Sequence, residues 1–158
     1  QPERGAHPLN CVSWWQAQAF CEWVGGRLPT EAEWERAATG GARMYPWGDA
    51  PPTCSHAVMN NGDDGCGAGT TASVCERPTG RTPEGLCDMA GNVWEWVGDW
   101  YSAGYYAEGV SDGPAFGGAR VRRGGSFRDQ ATDLRATNRW SLGGVYRSAN
   151  LGFRCAAD

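Results

Sequence analysis

Two stretches of helical spacing lie near the start of this chain. Trp14, Ala17, Cys21 and Val24 recur three and four residues apart and make one face that can pack inward. Ser13 with Gln16 three residues on forms a capping-box pattern that starts this helix, and Gly25-Gly26, tolerant of positive φ, stops it. Thr30 and Glu33 repeat the device ahead of Trp34, Ala37 and Ala38, the expected buried side of a second helix ended by Gly40-Gly41. Strand patterning is shorter. Residues 9–12 read as a strand with Cys11 as a buried thiol, and residues 121–127 and 152–156 read as strands that close a sheet. Trp94 and Trp96 stand two apart, which on a strand puts both on one face and leaves Glu95 on the other.

Between these segments the pattern dissolves. From Tyr45 onward Gly, Pro, Asp and Asn dominate, and Tyr45-Pro46-Trp47-Gly48-Asp49 is expected to turn the chain back over the core. Residues 99–118, rich in Tyr, Ser and Gly, read as an exposed loop that can carry binding. The 158 residues suffice for one domain with a modest core, and neither a repeat nor a linker divides them.

Charge and cysteine content narrow the class. A net charge of −4 argues against a nucleic-acid footprint, and no apolar run approaches the roughly 20 residues of a membrane span. Seven cysteines are many for a reduced compartment. No paired CxxC is present and only His7 and His56 could assist, so disulfides are preferred over a zinc cluster. Cys54 with Cys66 and Cys75 with Cys87 are read as local pairs across glycine-rich turns, although spacing alone does not fix connectivity. An exported setting follows: periplasmic, extracellular or lumenal.

The most chemical stretch is Asp88-Met89-Ala90-Gly91-Asn92-Val93-Trp94-Glu95-Trp96. Two acids bracket a glycine bend that can turn carbonyls inward, the mixed oxygen set that Ca²⁺ accepts. A tight turn with both acids solvated is the competing reading. Residues 59–65, Met59-Asn60-Asn61-Gly62-Asp63-Asp64-Gly65, also offer oxygen donors, but a plain polar turn is preferred over a second ion there.

The segment GLCDMAGNVWEWVGDWY, residues 85–101, resembles the signature of the formylglycine-generating-enzyme (sulfatase-modifying-factor) family. His7-Pro8-Leu9-Asn10-Cys11-Val12-Ser13-Trp14, Gly26-Arg27-Leu28-Pro29-Thr30-Glu31-Ala32-Glu33-Trp34, Arg120-Val121-Arg122-Arg123-Gly124-Gly125-Ser126-Phe127 and Gly152-Phe153-Arg154-Cys155 are similar to further family segments, in family order. The resemblance implies an α+β fold of C-type lectin-like type, with two helices on short twisted antiparallel strands and much irregular loop. It implies one Ca²⁺ held by the side chains of Asp88 and Glu95 and the carbonyls of Gly91 and Val93, and a Cys21–Cys155 disulfide. It also implies sheet strands N-terminal to His7, to be supplied by a preceding segment or a partner chain.

The family's oxidase holds Cu(I) between two thiolates a few residues after its GGS motif. Here that run is Phe127-Arg128-Asp129-Gln130-Ala131-Thr132-Asp133-Leu134-Arg135, with no cysteine, so copper is not expected. Asp129 and Asp133 are read as partners of Arg128, Arg135 or Arg139. The resemblance places Trp94 and Ser126 at pocket-lining positions, and a ligand-binding branch of the family directs attention to Arg128, Asp129, Arg139, Trp140, Tyr146 and Arg147. Arg, Trp and Tyr dominate recognition patches. The expected role is a calcium-stabilised, disulfide-linked recognition or scaffold domain for a protein or glycan partner. The alternatives are a metal-dependent oxidoreductase with an altered or externally completed site, and a purely structural domain.

Overall fold

The computed structural model describes residues 4–104 and 117–157. Both capping boxes form. Gln16 Oε1 accepts from Ser13 N at 3.1 Å while Ser13 Oγ accepts from Gln16 N, opening helix α1 (Trp14–Trp23). Glu33 Oε2 accepts from Thr30 N at 2.8 Å while Thr30 Oγ1 accepts from Glu33 N, opening α2 (Glu31–Thr39). Each reciprocal pair satisfies donors that a helix start leaves orphaned. Gly40 closes α2 in the left-handed conformation, which glycine adopts without steric cost. α1 buries Trp14, Ala17 and Cys21, but Val24 is 52% exposed. It occupies the C-cap, where the backbone has left the helical path and the inward face with it.

Four strands form one mixed sheet in the order β3-β2-β1-β4: β1 (Trp94–Trp100), β2 (Arg120–Arg123), β3 (Arg139–Leu142) and β4 (Leu151–Phe153). β1 pairs antiparallel with β2, Glu95 opposite Arg123, and β2 pairs antiparallel with β3. β4 runs parallel to β1 with Glu95 opposite Gly152, so the sheet is mixed rather than wholly antiparallel. A parallel pair needs a long crossover, here the chain between residues 100 and 151, and local alternation cannot announce it.

Several expected strands are shorter. The run 121–127 breaks at Gly124 and Gly125, whose φ of +93° and +74° leave the strand region. The run 152–156 ends at Phe153, beyond which Ala156 bridges to Arg27. Residues 9–12 make only one isolated bridge, Asn10 with Gly152. Cys11 there is exposed rather than buried, because its backbone bends at φ +58° and its N–H reaches Ser148 O at 3.0 Å. Asp99 and Trp100, expected in a loop, complete β1; residues 105–116 of that loop lie outside the described residues. Tyr45 and Gly48 exchange backbone hydrogen bonds, the expected turn over the core.

Tryptophans organise the interior, and each buried indole N–H finds an acceptor. Trp14 donates to Val97 O at 2.7 Å, Trp96 to Val12 O at 3.2 Å, Trp34 to Glu95 Oε2 at 2.7 Å and Trp94 to Asp129 Oδ2 at 2.8 Å. The first three bonds tie both helices and the entering chain to β1, and the fourth ties β1 to the turn that carries Asp129. Arg120 lies over the Trp14 and Trp100 rings at 3.5 and 3.4 Å. Fully buried Arg123 pairs with Glu31 and Glu35 and donates to the carbonyls of Ala136, Thr137 and Asn138. Among the described residues no helix is long and apolar enough to cross a membrane. Three disulfides form: Cys21–Cys155, Cys54–Cys66 and Cys75–Cys87.

Candidate metal centre

The bend before β1 is built from residues in unusual conformations. Asp88 and Asn92 have φ of +55° and +63°, and Gly91 between them has +77°. A Cβ on Gly91 would sit 2.5 Å from Val58 O, so only glycine fits there. Asn92 fixes the bend from both ends of its amide: Oδ1 accepts from Ala72 N at 3.1 Å and Nδ2 donates to Ala72 O at 3.2 Å. This brings Asp88, Asn92, Val93 and Glu95 to the wall of one cavity of about 300 Å³, with Arg154, His7 and Cys87. Gly91 is not on that wall; among the described residues no turn or loop backbone hydrogen bond ends on its carbonyl or on that of Val93.

Charge in the cavity is unbalanced toward the negative. Arg154 grips Glu95 with two nitrogens, Nε to Oε2 at 2.7 Å and Nη2 to Oε1 at 2.6 Å, and Trp34 adds a third donor to Oε2. Burial works against the Arg154 charge, but Glu95 and Asp88 outweigh it and hold the guanidinium firmly protonated. Among the described residues no guanidinium grips Asp88 in this way. Burial pushes its carboxyl up and the neighbouring Glu95 charge adds to this; the bond from Cys75 N at 2.7 Å, the Arg154 charge and the Asn92 side chain draw it down and only partly offset them. Two carboxylates against one guanidinium leave one negative charge in a partly enclosed space. An oxygen-seeking divalent cation suits that donor set, sharing Glu95 with Arg154.

A copper site of the thiolate type does not fit these residues. Six cysteines are paired in disulfides, the free Cys11 is exposed, and no cysteine lies between Gly124 and Gly152. At the GGS turn, Ser126 is fully buried and donates to Asp129, while Asn150 Nδ2 donates to Ser126 Oγ at 3.2 Å.

The chain matches the sulfatase-modifying factor enzyme 1-like domain over residues 1–158. It belongs to that family. It is 43% identical over 173 residues to the formylglycine-generating enzyme of Streptomyces coelicolor, covering 98% of this chain and 54% of that protein. Among solved structures, PvdO from Pseudomonas aeruginosa superposes with a TM-score of 0.81 at 26% identity, over 95% of this chain and 61% of that one. Treponema denticola variable protein 1 does so with a TM-score of 0.80 at 26% identity, over 98% and 72% respectively. The chain spans about half the length of the curated formylglycine-generating enzymes it matches. The α+β, C-type lectin-like fold expected from the motifs is the fold observed.

The residues singled out for ligand binding fall into two groups. Trp94, Ser126, Asp129 and Arg139 sit inside hydrogen-bond networks, with Arg139 paired to the buried Glu31 at 2.6 Å. Arg128, Trp140, Tyr146 and Arg147 are exposed on the surface. The acid partners differ from expectation: Asp129 serves Trp94 and Ser126, and Arg128 lies 3.7 Å from Asp64 instead. A buried indole and hydroxyl outcompete a solvated guanidinium for that carboxylate, since their N–H and O–H have no water to turn to. At residues 59–65, Asn60 Nδ2 donates to Asp64 Oδ1 at 2.8 Å and Gly62 N to Asn60 Oδ1 at 3.1 Å, bonds of a polar turn. Sequence reading missed Arg154 as the partner of Glu95; a guanidinium opposite a carboxylate from a distant strand leaves no local signal.

Proposed function

We propose that this domain is a recognition or scaffold module of its family, held in shape by a hard cation and three disulfides, and that it does not oxidise substrate cysteine by the family's copper chemistry. The observation that carries the second part is the absence of a free thiol pair: the run after Gly124-Gly125-Ser126 holds no cysteine, and the remaining sulfurs are bonded or, for Cys11, alone. Soft Cu(I) needs such ligands. In this reading Asp88 and Glu95, with the carbonyls of Gly91 and Val93, hold Ca²⁺, whose charge neutralises the acidic surplus and fixes the bend that launches β1.

Recognition would fall to the exposed Arg128, Trp140, Tyr146 and Arg147, residue types that give rigid contact area and charge-assisted bonds to a protein or glycan. The likeness to a Treponema denticola protein named as variable is in keeping with this role. Three disulfides support an exported setting. The 43% identity to a formylglycine-generating enzyme favours the rival reading, an oxidase with an altered site or one completed by sequence outside this stretch.

The deciding experiment offers a cysteine-containing sulfatase-type peptide to the chain in air, with and without Cu(I). The expected mass spectrum shows intact cysteine under both conditions. Any formylglycine product that tracks with the protein transfers the function to the oxidase class.

A further inference from the structure

Beside the hard-cation wall stands a second set of potential ligands. Cys75 Sγ, Cys87 Sγ and a carboxylate oxygen of Asp88 all lie within 4.8 Å of one another. The two sulfurs are joined in a disulfide, and in that state neither is a thiolate ligand. We propose that reduction of Cys75–Cys87 converts this corner into a thiolate–carboxylate site for a borderline or soft divalent metal of the zinc group.

The chemistry balances with a dithiol as reductant. One thiolate of the dithiol attacks Sγ of Cys87, the cysteine of the pair that lines the cavity, and Cys75 leaves as a thiolate that takes up a proton. The second thiol of the reagent resolves the mixed disulfide. Two electrons and two protons pass to the protein, and the reagent departs as its own disulfide. Metal binding then displaces the two thiol protons to solvent, as thiolate ligation requires.

Geometry supports the capture step. Two sulfurs bound at about 2.3 Å to a tetrahedral ion stand about 3.8 Å apart, so on reduction the pair must open from bonding distance by about 2 Å, which rotation of the two side chains can supply, while a carboxylate oxygen of Asp88 already lies within 4.8 Å of both. The backbone on each side is held by bonds that do not depend on the disulfide. Val74 N donates to Ala6 O at 2.8 Å, Arg81 Nη2 to Cys75 O at 3.2 Å, and Arg154 Nη2 to Cys87 O at 3.0 Å. Cys75 N also donates to Asp88 Oδ2 at 2.7 Å, which keeps the carboxylate beside the sulfurs. The fourth position falls to water or to His7, which lines the same cavity. Because Asp88 belongs to both donor sets, reduction would exchange a hard-cation corner for a softer one.

Cd²⁺ is the probe, since thiolate ligation gives it an ultraviolet charge-transfer band. The chain carrying Cys11→Ser is treated with a limited amount of dithiol, and alkylation mapping identifies the opened disulfide. One Cd²⁺ per chain is expected after reduction and none before it, with Cys75 and Cys87 shielded from iodoacetamide by the metal. Asp88→Asn should weaken Cd²⁺ binding about tenfold or more, since loss of even an outer-shell partner of a metal ligand costs that much. In the double variant Cys75→Ser with Cys87→Ser the band should be absent. The proposal is overturned if the reduced chain gives no band, if the band persists in that double variant, or if Cd²⁺ leaves both cysteines open to alkylation. Loss of the far-ultraviolet circular dichroism on reduction, unrecovered with Cd²⁺, also overturns it. Calcium stabilisation of the unreduced chain is measured separately, so failure of one idea leaves the other standing.

Discussion

The pairing of Glu95 with Arg154 makes a quantitative prediction about the centre of the fold. Glu95 accepts three short bonds, from Trp34 Nε1 at 2.7 Å and from Arg154 Nε and Nη2 at 2.7 and 2.6 Å, and its side chain is 6% exposed. Glu95→Gln keeps the shape but turns an amide N–H₂ toward donors, leaving the Arg154 charge facing only Asp88. Removing one partner of a buried ion pair costs about 3–5 kcal/mol. Arg154→Met is expected to cost a similar amount in chelator, because Glu95 and Asp88 then repel each other with no cation between them. With both changed, the orphaned guanidinium and the orphaned carboxylate disappear together. The combined loss should fall short of the sum by about 2 kcal/mol or more, at the upper end of coupling for contacting residues. Urea unfolding of the four proteins in chelator, followed by tryptophan fluorescence, measures this cycle. Calcium adds a second axis: Arg154→Met should gain more stability from Ca²⁺ than the parent, since its carboxylates have lost their guanidinium. Single costs below 1 kcal/mol, or costs that simply add, would refute the view that this pair anchors β1 to the C-terminal segment.

Three further outcomes follow from the same geometry. Metal-free protein should gain about 2.7 kcal/mol in Ca²⁺ at a hundredfold excess over Kd, with Mg²⁺ a poor substitute; equal melting temperatures in Ca²⁺ and chelator would remove the ion. Opening Cys21–Cys155, which spans a sequence separation of 134, by Cys21→Ala with Cys155→Ala should cost about 4 kcal/mol in chemical denaturation, and a loss under 1 kcal/mol would show the staple to be redundant. Glu33, held by Arg27 from 4.5 down to about 2, is nearly half exposed, so Glu33→Gln should cost only about 0.5 kcal/mol near neutral pH. Because the folded state depresses this carboxyl, the stability it contributes is present above pH 4.5 and is lost as pH falls toward about 2. The gap between parent and variant in acid titrations should close over that window; a constant gap would point to the cap rather than the charge.

The local rules were legible wherever cause and effect lie a few residues apart. Ser13–Gln16 and Thr30–Glu33 are reciprocal bonds within single turns, and both formed. The alternation of Trp94, Glu95 and Trp96 assigned faces correctly: both tryptophans join the cluster of Trp14 and Leu28, while Glu95 turns to Trp34 on the other side. The local disulfides, Cys54–Cys66 and Cys75–Cys87, cross short turns and form as read, although spacing left their connectivity open. The motif resemblance supplied the fold and the long-range Cys21–Cys155 bridge.

What only the tertiary structure decided were pairings between distant segments. β4 returns parallel beside β1, which sets Arg154 against Glu95, so that of the two acids read as cation ligands one is gripped by a guanidinium. Asp129 went to Trp94 because a buried indole N–H without water must find an acceptor, an obligation invisible in the run Ser126 to Asp129. Cys11 lost its expected burial when a single bridge, rather than a ladder, held its neighbours. In each case sequence proximity fixes which groups are available, while burial and the approach of distant strands determine which of them must bond to each other.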